Sequence, residues 1–480
     1  MPPSVARFGA LRMALAHRPA WPLIPHPRYG NHTLTPAQPQ TRSLISTATT
    51  TPSSAAATAA PAALPSATES APARNIGLRP YSDSALYSGI ASQKPVEEER
   101  YAAYDPQSFY PAEIGEVLDG RYRLVSKLGW GTGSTVWMAE HIGASKNRYV
   151  ALKITNSSPV VQATAEKEFD LTRHMFHTRT KHHGQQYLRE MIDAFTVEGA
   201  TGNHLCMTFE PLRQPLWLLG RQKEPDGVIK PATLKAVMPS ILKCLDFLHS
   251  ECHIIHTDLK ADHLMIDFED LAVLERYVAA NDASPAPFIK RRGRRVYESR
   301  PDFGPVEHDV TYVKITDFGL SVRGDMGPLN HAIQPVEYCA PEVFLECGWS
   351  YPADIFNLGL VMWELLAEIN LLDGRHDASS PFSHVVRTAQ MIRLMGPPPR
   401  ELAARASPER RKIMFDKWGA FLYPQLVPDA SFSFENQTAM FGMGSEEQRL
   451  FINFAKRMLT WLPEERATAR ELLDDPWLRS

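Results

Sequence analysis

The sequence predicts an α+β protein built as two lobes with separate cores, a small strand-rich lobe followed by a larger helical one. Two observations predict it. Between Tyr122 and Phe209, short runs alternate apolar and polar residues around a glycine turn, the pattern of half-buried strands. From Pro231 onward, Leu234, Val237, Met238, Ile241, Leu242, Leu245 and Leu248 recur at helical spacing. A third observation sets the first hundred of the 480 residues apart: Ala, Pro, Ser and Thr dominate from Tyr29 to Asn75.

Taken in order, residues 1–100 read as a disordered tail, because such a segment cannot bury enough apolar surface to offset its chain entropy. No Asp or Glu precedes Glu69, while Arg7, Arg12, Arg18, Arg28 and Arg42 are spread along it. That composition matches a mitochondrial transit peptide, the alternative to a tail without an address. A lead-in segment over 101–120 follows, and the folded domain spans 121–480. Tyr122–Leu128 and Thr135–His141 predict a hairpin, Tyr149–Ile154 a third strand, Ala163–Phe176 a helix, and Leu205–Phe209 a further strand. The most apolar stretch, Leu358–Leu372, is interrupted by Glu364 and Glu368, so it predicts a buried core helix and not a membrane span. The net charge of −3 gives no reason to expect nucleic acid or a membrane surface as partner. Five scattered cysteines form no Cys-x-x-Cys pair and read as reduced thiols.

The chemistry-bearing residues come in a fixed sequence. Leu128-Gly129-Trp130-Gly131-Thr132-Gly133-Ser134-Thr135-Val136 is a glycine turn between strands, where small residues let backbone amides approach phosphate oxygens. Ser134 stands where a third spaced glycine would complete the pattern, and a plain hairpin turn looks similar. Lys153, after Val150-Ala151-Leu152, is placed to reach phosphates, and Glu168 on the following helix to hold that lysine by an ion pair. His256-Thr257-Asp258-Leu259-Lys260-Ala261-Asp262-His263 resembles the catalytic loop of protein kinases. Asp317-Phe318-Gly319 resembles their magnesium-binding tripeptide, and Ala340-Pro341-Glu342 their Ala-Pro-Glu. Asp354 is the buried aspartate expected after these, and Arg466 is placed to pair with Glu342. Asp302-Phe303-Gly304 spells the magnesium tripeptide too, but no apolar strand feeds it, whereas Val313 and Ile315 lead into Asp317.

The domain therefore resembles the two-lobed protein kinases. His256-Thr257-Asp258, Gly129-Trp130-Gly131, Phe109-Tyr110-Pro111, Ile114-Gly115-Glu116 and Gly396-Pro397-Pro398-Pro399 resemble a fungal branch of the serine/arginine-rich protein-specific kinases. The resemblance implies transfer of the ATP γ-phosphoryl to protein serine with magnesium, on arginine/serine-rich splicing factors, by a monomer of cytoplasm and nucleus. It implies Asp258 as the base, Lys260 as stabiliser of the transferring charge, and Asp317 and His263 at the metal positions. The nucleotide pocket would comprise Leu128 to Ser134, Val136, Ala151, Lys153, Glu168, Met265, Phe209 as gatekeeper and Glu210 to Leu212 as hinge. Three features depart from the family: His263 replaces the metal-binding asparagine, the region after Leu371 is basic where the family is acidic, and Cys339 stands where arginine is frequent. His263 favours the rival reading of a pseudokinase scaffold.

Two further expectations follow. The spacing from Asp258 to Asp317 implies an insertion over about 270–310, with its basic run Lys290–Arg295 as a solvated loop. Thr257 replaces the arginine that captures an activation-loop phosphate in many kinases, and no serine or threonine lies between Val322 and Glu337. The loop is therefore expected to order without phosphorylation.

Overall fold

The computed structural model describes residues 97–480 apart from Ala103, Pro225, Arg292, Met326, Pro328 and Ala378. The transit-peptide and tail expectations for residues 1–96 lie outside the described residues.

The first lobe is a six-stranded antiparallel sheet in the order β1-β2-β3-β4-β6-β5. Its strands are β1 (Val117–Leu118), β2 (Tyr122–Trp130), β3 (Ser134–His141), β4 (Tyr149–Thr155), β5 (Met191–Gly199) and β6 (Gly202–Phe209). The expected hairpin is β2–β3, and its tip is the glycine turn. β4 is buried along nearly its whole length, because both sheet faces are covered around it. Helix α1 (Pro159–His177) begins with proline in its first turn and turns Ala165, Glu168, Leu171 and Met175 inward, the spacing of one helical face. β5 was not legible in the apolar pattern: it is the edge strand, and none of its residues is fully buried.

The second lobe is helical. Helix Pro231–Ser250 buries every apolar residue of the predicted stripe. Helix Pro352–Ala367 is buried on almost all sides, which explains the long apolar run over this region. Among the described residues no helix is long and apolar enough to cross a membrane. The five cysteines are free, and four are buried.

The insertion departs from the sequence reading. It is not a solvated loop: helix Ala272–Ala283 is followed by an antiparallel hairpin, Phe288–Arg291 paired with Arg294–Tyr297. The hairpin contributes Phe288 and Tyr297 to the core of the first lobe beside Trp137, and the helix packs Leu274, Tyr277 and Val278 against Val125 and Met138. The basic residues are engaged as well: Arg294 pairs with Glu98 at 3.3 Å and Arg295 with Glu113 at 3.0 Å. Phe288 and Tyr297 supply the physical reason, since two aromatic side chains each gain about 1.5–3 kcal/mol by leaving water.

The tail boundary expected at residue 100 also moves. Glu98–Arg100 form a one-turn 3-10 helix, and Glu97 and Glu98 are buried against Lys127 of β2. Lys127 is only 1% exposed and also donates to the carbonyl of Tyr297. A buried ammonium requires such partners, so residues 97–100 are part of the lobe.

Candidate active site

The cleft between the lobes is assembled from both. On the upper side, β3 and β4 set Val136 opposite Lys153, and β4 and β6 set Ala151 opposite Phe209. At the glycine turn, the Gly131 amide donates to the Ser134 carbonyl at 2.8 Å, and the Gly133 carbonyl accepts from Asn156 at 2.8 Å. A Cβ at Gly133 would lie 3.0 Å from the Val161 side chain, so glycine lets the turn lie close against α1. Ser134 opens β3 and pairs with Thr155, which accounts for a residue other than glycine there.

Lys153 donates to both carboxylate oxygens of Glu168, at 2.8 and 2.7 Å, and faces Asp317 at 3.8 Å. Burial pulls the Lys153 ammonium down, but Glu168 and Asp317 more than compensate and hold it above the usual lysine range. It therefore remains a cation. The surrounding cleft walls would raise the half-exposed Asp317 by desolvation, yet Lys153 and His263 hold its carboxyl well below the usual range. Phe318 is buried and meets the His256 ring edge-on at 5.2 Å. With that ring turned inward, Asp317 points toward Lys153, the arrangement needed for a metal-binding carboxylate.

On the lower side, the loop from His256 to His263 is fixed by Asp354. This wholly buried carboxylate accepts from the His256 amide at 2.8 Å, the Thr257 amide at 2.9 Å and the His249 ring at 2.9 Å. Thr257 sits at φ 68°, a left-handed conformation that costs a β-branched residue on the order of 1–3 kcal/mol. Its hydroxyl donates to the Leu320 carbonyl at 2.9 Å, tying the catalytic loop to the segment after Gly319. Asp258 is held 3.1 Å from the Lys260 ammonium. His263 uses both ring nitrogens: Nδ1 lies 2.9 Å from the Asp258 carbonyl and Nε2 3.3 Å from Asp317. Burial is the largest influence on its pKa and would lower it, but the hydrogen bond to Asp317 and the negative charges of Asp317 and Asp258 together raise the value.

The structure brings these sequence-predicted residues together in one cleft and adds braces that the sequence does not mark. Asn357 donates to the Leu259 carbonyl at 2.7 Å. Lys314 reaches Glu210 at 2.5 Å, joining the expected hinge to the strand that delivers Asp317. The Arg189 guanidinium lies 5.0 Å over the Phe209 ring and donates to the Glu210 carbonyl at 3.1 Å. Nothing in the local pattern marks Asn357 or Arg189, since each acts through a fold-distant backbone carbonyl. Lys314 could be found only by knowing that Glu210 lies beside it. Leu212 is buried, Met265 pairs with Lys314, and Leu128 packs against the insertion. Phe303 of the second Asp-Phe-Gly is buried against Phe268 and Tyr277, within the insertion.

A two-lobed fold with this paired lysine, two facing aspartates and an anchored loop defines a protein kinase. Comparison with known proteins agrees: residues 122–478 match the protein kinase domain. A serine/threonine protein kinase of Aspergillus fumigatus is 33% identical over 398 residues, spanning 81% of this chain and 92% of that protein. The serine/threonine-protein kinase SRPK of Physarum polycephalum is 29% identical over 400 residues, spanning 80% and 91%. A solved kinase domain superposes with a TM-score of 0.58 at 20% identity, covering 78% of this chain and all of that one. The chain belongs to the protein kinase family, among the serine/threonine protein kinases related to SRPK.

Proposed function

We propose that this chain transfers the γ-phosphoryl group of ATP to serine in protein substrates, and that these include arginine/serine-rich proteins of mRNA processing. The observation that carries the catalytic reading is the complete charge set across one cleft. Lys153 is clamped by Glu168 beside Asp317, and Asp258 is paired with Lys260 on the opposite lobe. A scaffold without activity would be expected to lack one of these, and all are present. The finer substrate class rests on the likeness to SRPK, as does a location in cytoplasm and nucleus.

In this reading Asp258 orients the serine hydroxyl and accepts its proton, and Lys260 stabilises charge on the transferring group. Lys153 holds the phosphates in place, so that positioning and fixed charge supply most of the catalysis. Magnesium prefers oxygen ligands, and the half-exposed Asp317 carboxylate fits that demand; bound there, the ion would neutralise phosphate charge. An imidazole suits magnesium poorly, so we assign His263 the task of bracing Asp258 and Asp317. His263→Asn trades this brace for an amide oxygen that suits magnesium, and is expected to raise kcat severalfold while KM for ATP changes little. A lower kcat in this variant would show the histidine to be the better brace.

The test of the whole reading is incubation with labelled ATP, magnesium and serine-containing peptides, with and without flanking arginines. Transfer favouring arginine-flanked serine supports the finer class; transfer without that preference supports only the coarser one.

The anchoring of Thr257 to Leu320 adds a regulatory expectation. This contact ties down the activation segment where an arginine would otherwise await a phosphate. Bacterially produced, phosphatase-treated protein should therefore show full activity. Activity appearing only after an upstream kinase modifies the segment would contradict this.

A further inference from the structure

Outside the cleft, one surface combines exposed apolar side chains with cations that have no internal partner. Between His384 and Tyr423, eight Lys or Arg stand against three Asp or Glu, in a chain whose net charge is −3. Several of the bases are spent internally. Arg405 pairs with Glu401 and Glu464, Arg410 pairs with Glu346, and Arg411 donates to carbonyls at the end of helix Arg400–Arg405. Arg400, Lys412 and Lys417 remain exposed, and among the described residues none has a carboxylate within ion-pair distance. The nearby Asp416 carboxylate is consumed by its own turn, accepting from the Trp418 and Ala420 amides at 2.8 Å each.

The apolar part is contiguous with these cations. Helix Pro408–Met414 leads into a tight hairpin whose arms are joined by the Phe415–Phe421 bridge and by the Leu422 amide donating to the Met414 carbonyl. The tip presents Lys417 and Trp418, with the ammonium 4.9 Å from the indole. At Gly419 the tip lies against Arg400, whose Cγ would be 3.7 Å from a Cβ there. Trp418 is 66% exposed, Ile413 48% and Leu422 42%. A tryptophan that open, with Lys417 against its ring and Arg400 beside the neighbouring Gly419, gains from a partner that covers the ring and neutralises the charges.

We infer that Arg400, Lys412, Ile413, Lys417, Trp418 and Leu422 form a docking surface for an acidic segment, interleaved with apolar side chains, on the kinase's protein substrates. The docking segment is separate from the phosphorylated serine, and its role as part of a substrate rests on the kinase reading above. Charge complementarity fixes the sign: a basic segment would meet three uncompensated cations, and like charges across an interface oppose binding. The indole supplies the kind of aromatic anchor that dominates small interfaces.

The test measures anisotropy of two labelled peptides on the full chain. One alternates Asp or Glu with Leu and Phe; the other replaces the acids with Lys and Arg. The acidic peptide should bind at least about tenfold tighter at low salt, losing that advantage as salt shortens the screening length. Trp418→Ala should weaken it about tenfold, and Lys412→Glu with Lys417→Glu should reverse the preference. Equal binding of the two peptides, or a preference that survives charge reversal, overturns the inference. Transfer to a short serine peptide without a docking segment is read on the same samples. Acidic-peptide binding without any transfer would remove the catalytic reading and leave a docking surface without a kinase substrate. Transfer without charge preference would remove the docking surface alone.

Discussion

Replacement of Asp258 by asparagine is expected to lower kcat by about 10²–10⁴-fold, the range a positioned proton acceptor contributes, with ATP affinity nearly unchanged. The geometry separates the two effects. Asp258 lies on the lower lobe, and its carboxylate pairs with Lys260 at 3.1 Å, with His263 Nδ1 at 3.7 Å. Neither contact involves the Lys153–Glu168 pair proposed to hold the nucleotide. The loop itself is anchored by backbone amides on Asp354 and by Asn357 on the Leu259 carbonyl, so asparagine should leave it in place. Measuring kcat together with ATP affinity in the variant checks this. A parallel loss of ATP binding would mean that Asp258 supports the cleft and not the chemistry.

Arg466→Ala is expected to cost about 3–5 kcal/mol of stability, the range for removing one partner of a buried ion pair. Arg466 and Glu342 are both fully buried and meet through two hydrogen bonds, at 2.8 and 3.1 Å. The guanidinium also donates to the Pro352 and Thr460 carbonyls at 2.7 and 3.1 Å and lies 5.0 Å over the Phe356 ring. Alanine would strand a buried carboxylate and two carbonyls at once. Substituting both members, Glu342→Met with Arg466→Met, should recover much of the loss, because the two burial penalties disappear together. Denaturant unfolding of the single and double variants measures this directly. A single variant within about 1 kcal/mol of the parent would show the pair to be incidental, since surface substitutions fall near that size.

The pairs that sequence reading found share one property: their members belong to motifs whose order is fixed. Lys153 and Glu168 are joined by one strand and one helix, and periodicity places both on the cleft. Glu342 and Arg466 lie far apart in sequence, and only the resemblance linked them. Lys127 shows the opposite case. It falls inside the expected strand Tyr122–Leu128 with nothing to mark it, yet Glu97 and Glu98 bury it, and no local pattern couples positions in a strand to a segment of tail-like composition. The insertion was misread for a related reason. Lys290–Arg295 is basic enough to suggest solvent, but the aromatic residues at its two ends, Phe288 and Tyr297, decide the structure by packing beside Trp137 and the other apolar residues of a sheet formed far earlier in the chain. Local charge was visible; the distant apolar surface was not.

The central claim, an active kinase directed at serine, is tested most directly by locating the transferred phosphate. The purified chain is incubated with γ-labelled ATP and a serine peptide in magnesium, in a metal chelator, and in parallel with Asp258→Asn. Label is expected on the serine hydroxyl, requiring magnesium and falling by at least about a hundredfold in the variant. Equal label in wild type and Asp258→Asn, or label that persists in the chelator, would contradict the claim.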